Sequence, residues 1–278
     1  MATNIIPNPH ALSTERERRC KSPVVFQPLD KIKPQQVEWL CPGFLAVGKL
    51  TLLIGNPGLG KTLIALDVAA RFSRGSSLFG GHLVEQGKVL LLAVEDDIAD
   101  TVVPRLQTAG ADLSQLISIR EADFSRDTSG LAEQINMLGE VRLIVIDPVT
   151  AFLGDANQDR ASEVRPAMQR LADLARETGA AVLAISHPSK TQGRAAVHSA
   201  CGSQAFVAVA RLVWQVSVDP DDDGQRLLLP VKANIAKDTG GYAYRIGDCD
   251  GQPRVEWLDS VGLAADDIAL TPKQRLEK

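Results

Sequence analysis

Gly55-Asn56-Pro57-Gly58-Leu59-Gly60-Lys61-Thr62 fits the phosphate-cradling pattern G-x-x-x-x-G-K-[ST] at every position. Glycines at 55, 58 and 60 let the backbone wrap closely around a polyphosphate, where a Cβ would block both the turn and the approach. Pro57 stiffens the same curve. Before the loop, Leu50-Thr51-Leu52-Leu53-Ile54 is an apolar run of buried-strand type; after it, residues 63–72 carry apolar positions at helical spacing. Strand, glycine loop and helix thus stand in the order that a phosphate site needs. Free N–H groups at the helix start and the positive end of its dipole then point at the anion. Lys61 is expected to bridge the β and γ groups and Thr62 to offer its hydroxyl to Mg²⁺, with Asn56, Leu59 and Leu63 completing the cradle.

Outward from this loop the alternation of apolar strands and amphipathic helices continues, which predicts an α/β fold: a mainly parallel twisted sheet flanked by helices. Strands are expected at 89–94, 116–119, 143–146 and 181–185, and helices at 100–109, 131–138 and 163–178. From residue 208 the texture changes to runs at 212–218, 227–231 and 242–246 separated by turn clusters, so C-terminal strands that are partly antiparallel are expected. The acidic stretch 219–224 reads as a solvated hairpin tip, since it lacks the twelfth-position Glu of an EF-hand. Residues 1–25 are too polar to bury and read as a flexible arm, 26–260 as the domain, and 261–278 as a polar tail. Within the domain, residues 26–47 are a lead-in expected to pack against the sheet edge.

At 278 residues the chain is near the upper size of one α/β domain, or long enough for a domain plus a small appendage, and 45% hydrophobic with 23% charged residues excludes wholesale disorder. Thirty Lys+Arg against 34 Asp+Glu, a net charge of −4, argues against a surface that grips nucleic acid all over, though local basic loops remain compatible. Four cysteines without C-x-x-C spacing suggest neither a zinc knuckle nor a disulfide frame, and a reducing cytoplasm is expected. Neither an apolar signal core nor a membrane-spanning run is present, so no membrane partner is expected.

A phosphate loop alone specifies nucleotide binding; hydrolysis needs more. Asp147 follows four apolar residues and precedes Pro148, at the carboxyl end of a buried strand where ligands gather in open α/β sheets. Its carboxylate is expected to hold Mg²⁺ beside Thr62. Glu95 and Asp96 close the strand after the loop's helix, and Glu95 is the choice for the base that orients the attacking water, with Asp96 in reserve. Asp96 or Asp97 also reads as an N-cap for the next helix. His187 ends the strand 181–185 on the same rim and is placed to sense the γ-phosphate. The small, polar segment after it carries Lys190 and Arg194, a candidate contact for a phosphate backbone.

Taken together these motifs resemble those of the RecA-like ATPases, and within them the RepA-type hexameric replicative helicases of plasmids and phages. The resemblance covers roughly residues 35–258 and rests on GNPGLGKT at 55–62, AVEDD at 93–97, LIVIDP at 143–148, SHPSK at 186–190, Gly202-Ser203 leading to Arg211 and Trp214, and VKAN at 231–234. It implies a RecA-like fold, Mg·ATP hydrolysis at subunit interfaces of a homo-oligomeric, hexameric ring, and single-stranded DNA as partner. Position by position it implies Lys61, Glu95 and His187 as catalytic groups, Arg211 as an arginine finger given to the neighbouring copy, and Lys232 as a second cationic finger. Such a finger is worth on the order of 10³ or more in rate. Two other readings stand beside a DNA helicase or translocase. One is a RecA-like regulator or recombination mediator that holds DNA without unwinding; the other is a monomeric P-loop kinase of a small molecule.

Overall fold

A computed structural model describes residues 27–126, 128–186, 204–237 and 240–269. The chain divides into two compact units, residues 1–36 and 37–278. In the first, the described residues include a short 3₁₀ turn at Leu29–Lys31. The second carries the sheet.

Apolar runs become the strands because each is covered on both faces. A small hairpin, β1 (Trp39–Cys41) and β2 (Leu45–Ala46), precedes β3 (Leu50–Gly55), the phosphate loop and helix α1 (Lys61–Arg74). Then come β4 (Lys88–Ala93), α2 (Val103–Thr108), β5 (Leu116–Ser118), α3 (Ser129–Leu138), β6 (Val141–Asp147), α4 (Ala161–Thr178) and β7 (Ala181–Ser186). A short helix α5 (Ala205–Val209) leads into β8 (Leu212–Asp219), β9 (Asp222–Ala233), β10 (Gly241–Cys249) and β11 (Gln252–Val261). Nine strands form one sheet in the order β11-β10-β9-β8-β3-β7-β6-β4-β5. From β8 to β5 neighbouring strands are parallel, and from β8 to β11 antiparallel. This is the order and orientation of a RecA-like P-loop NTPase fold.

Successive residues of each central strand feed opposite cores, as the period of two requires. Leu53, Leu91, Val145 and Leu183 pack with α1 and α2, whereas Leu52, Leu90, Ile144 and Val182 pack with α3, α4 and α5. Each such side chain, taken out of water, contributes roughly 1.5–3 kcal/mol. Helix ends follow their glycines: α1 stops at Gly75 and α4 at Gly179, both left-handed, each returning its N–H to the last turn.

Several expectations shift. The stretch 100–109 is two pieces, a wide turn at Ile98–Val102 running into α2, because Pro104 at the head of α2 has no N–H to give to an α-type ladder. The β1-β2 hairpin lies over the central strands instead of the edge: Phe44 is fully buried, contacts Trp214 of β8 at 5.4 Å between ring centres, and its carbonyl accepts from Thr51 Oγ1 at 3.1 Å. A fourth antiparallel strand, β11, follows the three expected ones. Its exposed Arg254, Glu256 and Leu258 alternate with the more buried Val255 and Trp257, as in an edge strand with one wet face. The acidic tip is a tight turn, in which Asp219 Oδ1 accepts the Asp221 N–H at 2.9 Å.

Candidate nucleotide site

Three strand ends build the site. In β3, the chain leaves the sheet at Gly55, whose φ of 150° and tight fit admit no side chain: a Cβ there would lie 2.7 Å from the Val216 carbonyl oxygen of β8. Gly60, at φ 90°, caps α1 in the left-handed region. A Cβ on it would sit 2.8 Å from Ile246 Cδ1, so the loop rests directly on β10. The α-helical ladder opens with Ile64 N–H on the Gly60 carbonyl at 2.9 Å. The N–H groups ahead of Ile64 thus stand outside the ladder at the loop.

Lys61 is 4% exposed, and its ammonium closes the loop by donating to the Gly55 carbonyl at 2.8 Å and the Asn56 carbonyl at 3.0 Å. Burial pulls its pKa below the ordinary lysine range, and the carboxylates of Asp147 and Glu95 act against that shift. Asp147, the last residue of β6, accepts a hydrogen bond from Thr62 Oγ1 at 2.6 Å on Oδ2. Strand β4 pairs with β6 so that Ala93 lies opposite Asp147, which delivers Glu95 two residues later to the same rim. Thr62, Glu95, Asp96 and Asp147 line one cleft. A hydroxyl and a carboxylate in contact are hard oxygen donors of the kind Mg²⁺ takes, beside an ammonium and backbone N–H groups suited to a triphosphate.

Neighbouring acids divide their work. Asp96 is held by Arg105, Nη1 to Oδ2 at 2.6 Å. Asp97 caps the turn before α2, accepting from the N–H groups of Ala99 at 2.7 Å and Asp100 at 3.1 Å on Oδ1. Glu95 is the one of the three that lies near enough to Lys61 to raise its pKa.

Arg211 lies at the other end of the sheet. Its N–H donates to the Leu50 carbonyl at 3.0 Å, at the start of β3. The phosphate loop leaves from that strand's far end. Five residue steps separate the two levels, about 16 Å at roughly 3.3 Å each. Lys232, for which the resemblance implies a second cationic finger, is a helix cap within its own chain. Its ammonium donates to the carbonyl oxygens of Val207 at 2.8 Å, Ala208 at 3.2 Å and Ala210 at 2.8 Å, at the end of α5. Burial first, and then the nearby Arg211 charge, lower its pKa. Ser186 ends β7 in register with Ile54 of β3. His187, Lys190 and Arg194 lie outside the described residues, as does the Gly202-Ser203 pair.

What sequence reasoning missed is the support under the loop. Tyr244 Oη donates to the Leu59 carbonyl at 2.6 Å, and Trp257 Nε1 donates to Asp67 Oδ2 at 2.7 Å, an atom that also accepts from Arg71 Nε at 2.7 Å. The partners are 185 and 190 residues apart, beyond any local spacing rule.

A family model described as an AAA domain matches residues 14–193. Among curated proteins, the DNA repair protein RadA of Chlamydia muridarum is 26% identical over 173 residues, 60% of this chain and 34% of that protein. The DNA repair protein RAD51 homolog 4 of Bos taurus is 28% identical over 186 residues, 61% of this chain and 56% of that protein. The chain therefore spans between a third and somewhat over half of the relatives that it matches. No helix among the described residues is long and apolar enough to cross a membrane. With the AAA match running over more than half of its length on a RecA-like sheet, the chain belongs to the AAA domain family as a RecA-like P-loop ATPase.

Proposed function

We propose that this protein hydrolyses Mg·ATP in a homo-oligomeric ring with shared sites and couples hydrolysis to work on single-stranded DNA. The observation that carries the proposal is the Thr62 to Asp147 hydrogen bond beside the buried Lys61, with Glu95 on the same cleft. Thr62 and Asp147 would hold the metal, which supplies charge neutralisation across the β and γ phosphates when bound. Lys61 meets the phosphate oxygens as a point charge, and its lowered pKa reflects how little water reaches it. Glu95, which lines the cleft with Thr62 and Asp147 and lies near Lys61, orients and polarises the attacking water. His187, Lys190 and Arg194 follow β7 in sequence, and their types suit a link from γ-phosphate to a nucleic-acid backbone.

Two DNA readings divide on motion. The motif resemblance supports a translocating helicase. The names of the relatives, both DNA repair proteins, support the recombination-mediator reading, in which ATP controls how DNA is held. The deciding experiment measures ATP turnover with and without single-stranded DNA, alongside strand displacement and the native mass of the assembly. Stimulation with displacement supports the helicase, and stimulation without displacement supports the mediator. A turnover indifferent to DNA rejects both, and a monomer with a phosphorylated small molecule as product supports the kinase. Glu95→Gln should bind ATP as the wild type does while turnover falls about 100-fold or more.

A further inference from the structure

We infer that Tyr244, on the C-terminal hairpin of β10 and β11, is a positioning residue that sets the direction of a phosphate-facing N–H in the loop. The inference rests on the nucleotide-site reading and extends it to a residue outside every phosphate-loop motif. Its hydroxyl donates to the Leu59 carbonyl at 2.6 Å. Among the described residues the cis peptide bond is Asp147-Pro148, so the Leu59-Gly60 peptide is trans. In a trans peptide the carbonyl and the following N–H point in opposite directions across one rigid plane. Holding the Leu59 oxygen toward β10 therefore turns the Gly60 N–H away from β10. That carbonyl lies just ahead of the α1 ladder, which begins on the Gly60 oxygen, so the helix does not fix its direction.

The hairpin is rigid enough to serve. Tyr244 has no exposed surface and its ring lies 5.5 Å from that of Trp257 on β11. Trp257 in turn donates to Asp67, two turns along α1 from the loop. The same hairpin thus holds the loop at Leu59 and the helix at Asp67. Gly60 lets the two surfaces meet, because any Cβ there would collide with Ile246, two residues on from Tyr244. Burial pushes the Tyr244 phenol well above its ordinary range, so it stays a donor through the working range of pH.

Tyr244→Phe removes one oxygen and leaves the ring in place. We expect its Kd for ATP to rise about tenfold, roughly 1.4 kcal/mol, with most of the loss in KM and little in kcat. Hydrogen exchange at the Gly60 amide should quicken. Leu227→Ala is the control for general loosening: it opens the small core of Leu227, Leu229 and Ala243 on the opposite face of β9 and β10, leaves the bonds to Leu59 and Asp67 in place, and should lower the melting temperature while leaving the ATP Kd within about twofold. A Tyr244→Phe protein that binds ATP like the wild type overturns the inference, as does a Leu227→Ala protein that loses as much affinity. Wild-type protein that fails to bind ATP overturns instead the nucleotide-site reading on which the inference rests.

Discussion

Lys61 is a buried cation, and its burial and the phosphate-binding role proposed for it pull in opposite directions with pH. Its pKa is lowered by burial, while the unfolded chain carries an ordinary lysine. Between those two values the unfolded state binds more protons, so the stability of the nucleotide-free protein rises as pH climbs through that window. ATP affinity falls over the same window, because the neutral amine no longer attracts phosphate. A titration of ATP Kd against pH should therefore show a loss that begins below the ordinary lysine range, while the melting temperature without nucleotide climbs slightly. Lys61→Arg should abolish the alkaline loss, since a guanidinium keeps its charge. An ATP affinity that stays flat across the alkaline range would mean that Lys61 is not the phosphate-binding ammonium. At this scale the sequence was most legible. Gly55 to Thr62 declare themselves because adjacent residues do adjacent jobs, and Asp147 because a carboxylate after four apolar residues has to leave the sheet at its end. Asp96 was less so: its partner Arg105 lies across a turn whose course Pro104 sets, and nothing in AVEDD says which acid Arg105 takes.

Elements show where spacing rules stop. The parallel strands were readable since both faces are buried and their apolar runs are continuous, whereas β11, with one wet face and Pro253 near its start, hides among polar residues. Helix α5 has five residues, too short to stand by propensity, and it ends on carbonyls that its own chain must satisfy from elsewhere. Lys232 does this from β9, 22 to 25 residues away, a distance that no motif encodes. Replacing the ammonium by a thioether in Lys232→Met leaves three carbonyl groups to find water or other donors. The expected cost is about 1–3 kcal/mol of folding free energy, read as a lower denaturant midpoint at unchanged slope. Turnover per folded molecule should stay within about threefold, against the 10³ or more that removal of a transition-state finger costs. A drop of that larger size with normal stability would return Lys232 to the catalytic role that the motif resemblance implies.

On the scale of the whole molecule, the sheet acts as a spacer. Its carboxyl rim carries the phosphate loop, Glu95 and Asp147, and its opposite rim carries Arg211 at the level of Leu50. Those levels are about 16 Å apart along one straight strand, so Arg211 cannot serve the phosphates of its own chain. A catalytic Arg211 must therefore reach the site of another copy, which requires copies packed with the rim of one against the base of the next. With sites shared as proposed, Lys61→Ala should abolish phosphate binding on its own copy and Arg211→Ala should remove the finger given to a neighbour, so each variant alone should be inactive. Mixed in equal amounts, they create interfaces in which an intact Lys61 faces an intact Arg211. Random assembly makes about a quarter of the interfaces of this kind, so the mixture should recover roughly a quarter of wild-type turnover if interfaces act independently. Turnover is read after the two proteins have been mixed under conditions that exchange subunits, with native mass confirming the exchange. Exchange without recovery would leave Arg211 a structural residue at the base of β8, and a monomeric wild-type protein that hydrolyses ATP at full rate would remove the need for any finger in trans.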